Sequence, residues 1–108
     1  LINKNGKIIN ISTQMSSIAL CRPADAIAYR MSKTALNMYT KILANRLKDK
    51  IRVSAVDPGW VKTTIAARNL IDAPLTPQKS AENIYSFVNS DFEIGILWGS
   101  QHKTKLPW

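Results

Sequence analysis

Tyr29 and Lys33 stand four residues apart in the segment AYRMSK, so on a helix both side chains project from the same side, one turn apart. A phenol titrates near about pH 10 and is a poor proton donor or acceptor at neutral pH. An ammonium held beside it favours the phenolate and brings it toward the range useful for acid–base work on an alcohol or carbonyl. The same spacing also occurs in ordinary helices, where the ring packs on a sheet and the lysine snorkels to solvent. What surrounds the pair therefore decides its meaning. Hydroxyls end or follow the run KIINIS at Ser12, Thr13 and Ser16, and the segment DPGWVKT holds Pro58, Gly59, Val61 and Thr63. A hydroxyl at a strand end can hold a carbonyl oxygen while a tyrosine hands it a proton. Serine and threonine also cap helices and close turns, and Pro58-Gly59 reads equally as a plain turn.

The elements that must position these residues are legible in outline. Lys7–Ser12 is rich in isoleucine and uncharged after Lys7, the pattern of a fully buried strand in a parallel sheet. Thr13–Ala26 reads as a polar loop, and a long helix follows from Ala26 to Leu47, ending in the basic KDK that suits a helix C-terminus. Ile51–Val56 is a second β-branched run, stopped by Asp57-Pro58-Gly59. Pro74 and Pro77 bracket a loop, Thr76 is an N-cap for a helix over Pro77–Val88, and Glu93–Trp98 reads as a third strand. Leu106-Pro107-Trp108 closes the chain. This alternation predicts an α/β fold with right-handed crossovers and a parallel sheet flanked by helices. The three chemical segments then fall at the C-terminal ends of neighbouring strands or on the adjoining helix, where open α/β sheets place their ligands.

The long helix carries two apolar stripes. Leu36, Leu43 and Leu47 share a face with Tyr29, while Met31, Ala35, Met38 and Ile42 lie roughly a third of a turn away. One sheet needs one stripe. The second predicts a partner helix, and so a homo-oligomer through residues 26–47.

Composition bounds the function classes. With 108 residues, 45% of them hydrophobic and 20% charged, the chain has room for one domain with one modest core. No apolar run reaches the length of a membrane span, and no signal-peptide pattern opens the chain. The single Cys21 excludes an internal disulfide and fits a reducing cytoplasm. One cysteine and one histidine, His102, argue against zinc. The net charge of +8 is spread over the chain, and the Trp and Tyr residues do not interleave with it as a base-stacking platform would. A solvated basic surface is the expectation, with neither nucleic acid nor membrane as partner. The chain starts at Leu1 rather than Met, just ahead of a strand-like run, which suggests a piece of something longer.

In order and spacing, GKIINIS, AYRMSKTALNM, DPGWVKT and the closing LPW resemble the short-chain dehydrogenase/reductase family, in the branch of the C-factor-like and Sniffer-type carbonyl reductases. The resemblance covers essentially the whole chain but only the C-terminal half of a family member, so residues 1–108 are expected to form the catalytic half of a Rossmann-like three-layer domain. It implies that Tyr29 is the acid/base. It likewise implies that Lys33 lowers the tyrosine's pKa and holds the nicotinamide ribose, and that Pro58, Gly59, Val61 and Thr63 line the nicotinamide end of NAD(P)(H), with NADP ahead of NAD. The family usually carries Ser-Ser after the strand; here the pair is Ser12-Thr13, so Thr13 falls at the catalytic position, with Ser12 or Ser16 as substitutes.

Some family features are missing or altered. The glycine-rich phosphate loop belongs upstream of Leu1, and Gly6, Gly59, Gly95 and Gly99 make no such cradle. The catalytic asparagine on an upstream helix has no counterpart, since Asn3 and Asn5 lie too close to the strand. His102-Lys103 replaces the Asp-Gly common near the C-terminus of this branch. Two functional expectations follow: an oxidoreductase segment acting on a small carbonyl or alcohol, or an inactive truncated remnant that only folds and self-associates.

Overall fold

A computed structural model describes residues 3–108. In chain order the elements are β1 (Lys7–Ile11), α1 (Ile27–Leu47), β2 (Arg52–Asp57), α2 (Asn69–Asp72), α3 (Pro77–Val88), β3 (Leu97–Gly99) and β4 (Thr104–Leu106), with one short 3-10 turn at Gln14–Ser16. The sheet runs β1-β2-β3-β4. The first three strands are parallel, and β4 is antiparallel to β3. The architecture is the expected α/β one, a Rossmann-like arrangement with helices against the sheet.

Residue alternation along the strands sorts the two faces. β1 and β2 pair with Ile8 opposite Val53 and Asn10 opposite Ala55, so these residues share the face that receives α1. Ile9 and Val56 point the other way, into a cluster with Ile84, Phe87, Phe92 and Trp98. There the Phe87 ring lies 4.7 Å from that of Phe92 and 5.5 Å from that of Trp98. α3 thus meets the sheet through an aromatic cluster. It begins where Thr76 caps it, the hydroxyl accepting the Lys79 N–H at 3.1 Å, with Pro77 in its first turn.

Three expectations change. β1 is not fully buried: it pairs only with β2, its outer edge is open among the described residues, and Ile11 is 47% exposed. The central strand is instead β2, where Val53 to Asp57 are all buried. The third strand is shorter than Glu93–Trp98, because Gly95 turns at φ +68 and pairing with β2 starts only at Leu97. The closing residues belong to a hairpin, β3 turning through Lys103 (φ +51) into β4, where a plain chain end had been read.

The aromatic cluster sets a measurable dependence. Phe87→Ala leaves a cavity between α3 and the sheet, and denaturant unfolding is expected to show a loss of about 3–5 kcal/mol.

Candidate active site

α1 lies against β1 through polar pairs rather than through its leucines. Leu36, Leu43 and Leu47 are only half-buried, whereas Asn37, Thr40 and Ala44 are the buried positions of the helix. The reason is the strand opposite, which presents Asn10 and Ser12. Asn10 Nδ2 donates to Thr40 Oγ1 at 2.9 Å, and Ser12 Oγ donates to Asn37 Oδ1 at 2.6 Å. One turn nearer the helix start, Lys33 Nζ donates to the Ile11 carbonyl at 3.0 Å. The side-chain pairs Asn10–Thr40 and Ser12–Asn37 run in opposite order along the two elements, so helix and strand point in opposite directions.

A second set of bonds ties in the loop after β1. Asn37 Nδ2 donates to Ser16 Oγ at 2.6 Å, and the Ser16 hydroxyl donates to the Thr13 carbonyl. Thr34 Oγ1 donates to the Ser16 carbonyl at 2.8 Å. Arg30 reaches the Met15 carbonyl at 3.3 Å and pairs with Asp25 at 3.0 Å. The loop bearing Thr13 is therefore tied to α1 at several points.

The three candidate hydroxyls now differ. Those of Ser12 and Ser16 are committed to the Asn37 network. Thr13 Oγ1 accepts the Met15 N–H at 3.1 Å, capping the 3-10 turn, and donates to no group among the described residues. Tyr29, on the first turn of α1, is 40% exposed, and its hydroxyl has no hydrogen-bond partner among the described residues.

The neighbouring strand end brings up the other segment. Ser12 N–H donates to the Val56 carbonyl at 2.8 Å, so the loops after β1 and β2 leave the sheet side by side. Pro58 is held through its carbonyl by the Ser80 hydroxyl at 2.8 Å. Gly59 sits at φ +82, where a Cβ would come within 2.7 Å of Leu75 and Gln101, so both conformation and space call for glycine. Val61 forms an isolated bridge with Leu75, closing off the excursion that contains Thr63, half-buried, and α2. A cavity of about 420 Å³ opens beside these loops, lined by Gln14, Asp57, Gly59 and Trp60 among others. Tyr29, Lys33 and Thr13 do not line it.

Two residues escaped the sequence reading. Asn37 lies eight positions beyond Tyr29 on the sheet-facing side of α1, a polar residue where an apolar one was expected. Asp57 was read only as part of a strand breaker, yet its carboxylate is buried and accepts the Gly59 N–H at 3.0 Å. Burial pushes its carboxyl above the ordinary 3.8, opposed by the N–H groups of Gly59 and Gln14 and by the charge of His102.

Asn37→Ala leaves the hydroxyls of Ser12 and Ser16 buried without their shared partner. Chemical denaturation is expected to show a loss of about 2–3 kcal/mol, and adding Ser12→Ala in that background costs less than Ser12→Ala alone.

The family model described as enoyl-(acyl carrier protein) reductase matches residues 1–86. C-signal of Myxococcus xanthus is 36% identical over 104 residues, which is 94% of this chain and 61% of that protein. Among solved structures, the carbonyl reductase Sniffer of D. melanogaster superposes with a TM-score of 0.84 at 32% identity, over 97% of this chain and 44% of that one. The NADPH-bound carbonyl reductase from chicken fatty liver gives 0.74 at 27% identity, over 94% and 42%. The chain thus spans less than two thirds of the length of each of these proteins. Sequence and backbone agree over the segments that hold the Tyr–Lys turn and the Pro-Gly loop, and the chain belongs to the short-chain dehydrogenase/reductase family.

Proposed function

We propose that this chain carries the proton-transfer part of an NAD(P)(H)-dependent interconversion of a small carbonyl compound and its alcohol. The observation that carries the reading is the bond from Lys33 Nζ to the Ile11 carbonyl at 3.0 Å. It fastens the start of α1 to the end of β1, so that Tyr29, one turn before Lys33, lies near the strand end that leads into Thr13. The open hydroxyls of Tyr29 and Thr13 fit the same reading.

In the reductive direction Tyr29 gives its phenolic proton to the carbonyl oxygen, and Thr13 Oγ1 donates a hydrogen bond to that oxygen. The Lys33 ammonium, one helical turn on from Tyr29, has donors left for the nicotinamide ribose. Pro58, Gly59, Val61 and Thr63 wall the nicotinamide end. When bound, NAD(P)H supplies the hydride. The NADPH in the chicken carbonyl reductase supports NADP ahead of NAD. The residues fit the nicotinamide end of such a group, whereas none of the four glycines opens a helix that would hold its phosphates.

Self-association through α1 belongs to the same proposal. Met31 and Met38 are 67% and 63% exposed, and Ile42 is 50% exposed, so the second stripe is uncovered in the single chain. A cytoplasmic location is supported by the free, exposed thiol of Cys21. Among the described residues no helix is long and apolar enough to cross a membrane.

Two measurements test the proposal. NADPH titrated into the purified chain is expected to bind saturably and to be oxidised only when a carbonyl compound is added. Tyr29→Phe should then lower turnover by about 100- to 10,000-fold while NADPH affinity holds. No binding at millimolar NADPH would show a chain that folds without catalysing. For the seam, sedimentation equilibrium should find an oligomer that the double change Met38→Lys and Ile42→Lys converts to monomer; an unaltered mass would rule the seam out.

A further inference from the structure

The strand order places β1 and β4 at opposite edges of the sheet. The residues that follow these two strands nonetheless meet. Trp108, two residues past the end of β4, offers its main-chain carbonyl to the loop after β1. The Ala19 N–H donates to that oxygen at 3.1 Å, and the Ser17 hydroxyl donates to it at 3.2 Å. The Leu20 N–H in turn donates to Ser17 Oγ at 3.2 Å.

These bonds are the far anchor of the loop. Nearer to β1, the Ser16 carbonyl and hydroxyl are fastened to Thr34 and Asn37 of α1. Among the described residues, no hydrogen bond ties residues 17–21 to a segment outside the loop except those to Trp108. The apolar residues there hold little, since Ile18 is 73% exposed and Leu20 40%. Ser17, by contrast, is buried. A buried hydroxyl needs partners for its proton and its lone pairs. Ser17 has both, Trp108 for the proton and Leu20 for a lone pair.

Trp108 also lines a cavity of about 180 Å³ beside α1, together with Ile18, Thr34, Met38 and Lys41. Pro107 restricts the backbone just ahead of it, so less chain freedom is lost when Trp108 docks. Leu20 and Leu106, on the two sides of the contact, both line the cavity of about 420 Å³ at the ends of β2 and β3.

We propose that Trp108 is a positioning residue, a strap that anchors the loop after β1 from the far side and so holds Thr13 in place. The hold reaches Thr13 through the 3-10 turn. There the Ser17 N–H donates to the Gln14 carbonyl at 3.1 Å and the Ser16 N–H to the Thr13 carbonyl at 3.0 Å. A loop pinned to α1 alone can pivot about that side; a second anchor beyond β4 removes the pivot. The strap itself stands on these contacts, and its consequence for turnover rests on the functional reading above.

Amide hydrogen exchange followed by NMR tests the strap in the purified chain. Ala19 is exposed, yet its amide is expected to exchange slowly. In a chain shortened to end at Leu106 it should exchange about tenfold faster, the worth of one lost hydrogen bond. The Met15 amide, which is bonded to Thr13 Oγ1, should shift in the same variant. Should the shortened chain fail to fold, Ser17→Ala in the full chain is expected to give both changes. An Ala19 amide that is unprotected in the unaltered chain, or a Met15 resonance that stays put, would overturn the proposal. Equal acceleration of the α3 amides would mean a general loss of stability and would overturn a positioning role. Where NADPH is turned over, the shortened chain should lose about 10- to 100-fold in kcat with the KM for NADPH unchanged; an unchanged kcat breaks the link to Thr13. Loss of Ala19 protection in a chain that binds no NADPH supports the strap and overturns only the functional assignment.

Discussion

The polar ladder between β1 and α1 is the constraint on which the site depends. Apolar side chains would let a helix slide or roll on a sheet at little cost, since dispersion and burial are not directional. Hydrogen bonds at Asn10–Thr40, Ser12–Asn37 and Ile11–Lys33 are directional, and leaving any buried partner unmade costs about 1–3 kcal/mol. They fix both the rotation of α1 and its height along the strand. Tyr29 takes its position from this register, one turn beyond the last rung.

The same network reaches the loop that carries Thr13. Asn37 is shared between Ser12 on the strand and Ser16 in the 3-10 turn, so helix, strand and loop are held by one buried amide. Beside it, the buried Asp57 carboxylate receives the Gly59 N–H. The far face of the sheet contributes rigidity. Val56 is packed under Phe87 and Phe92, one residue before Asp57. Aromatic packing on one side thereby steadies a polar arrangement on the other.

The elements with strong local signals were legible. Thr76 and Pro77 marked the start of α3 at the right residue, and the Asp57-Pro58-Gly59 stop marked the end of β2. The two stripes on α1 were readable, including the one that the single chain leaves uncovered. What the pattern did not convey was which side of the sheet-facing surface lay deepest. Periodicity weighs hydrophobicity, so it centred the buried face on the leucines and passed over Asn37 and Thr40. Their partners, Ser12 and Asn10, lie more than twenty residues away, a separation no local pattern spans.

The sequence by itself determined the alternation of strands and helices and the family. Each of these rests on local spacing, on breakers such as Pro58-Gly59, or on the one-turn repeat of the helix. The tertiary structure decided that β2 is the strand buried from Val53 to Asp57, that β3 starts only after Gly95 and that the closing residues pair back on β3. It also decided that the Asp57 carboxylate is buried, and which of three neighbouring hydroxyls donates to no group among the described residues. Those outcomes depend on strand order and on pairing between distant segments. Burial and hydrogen-bond supply at a residue are set by everything that packs on it, and that is known only once the chain has folded.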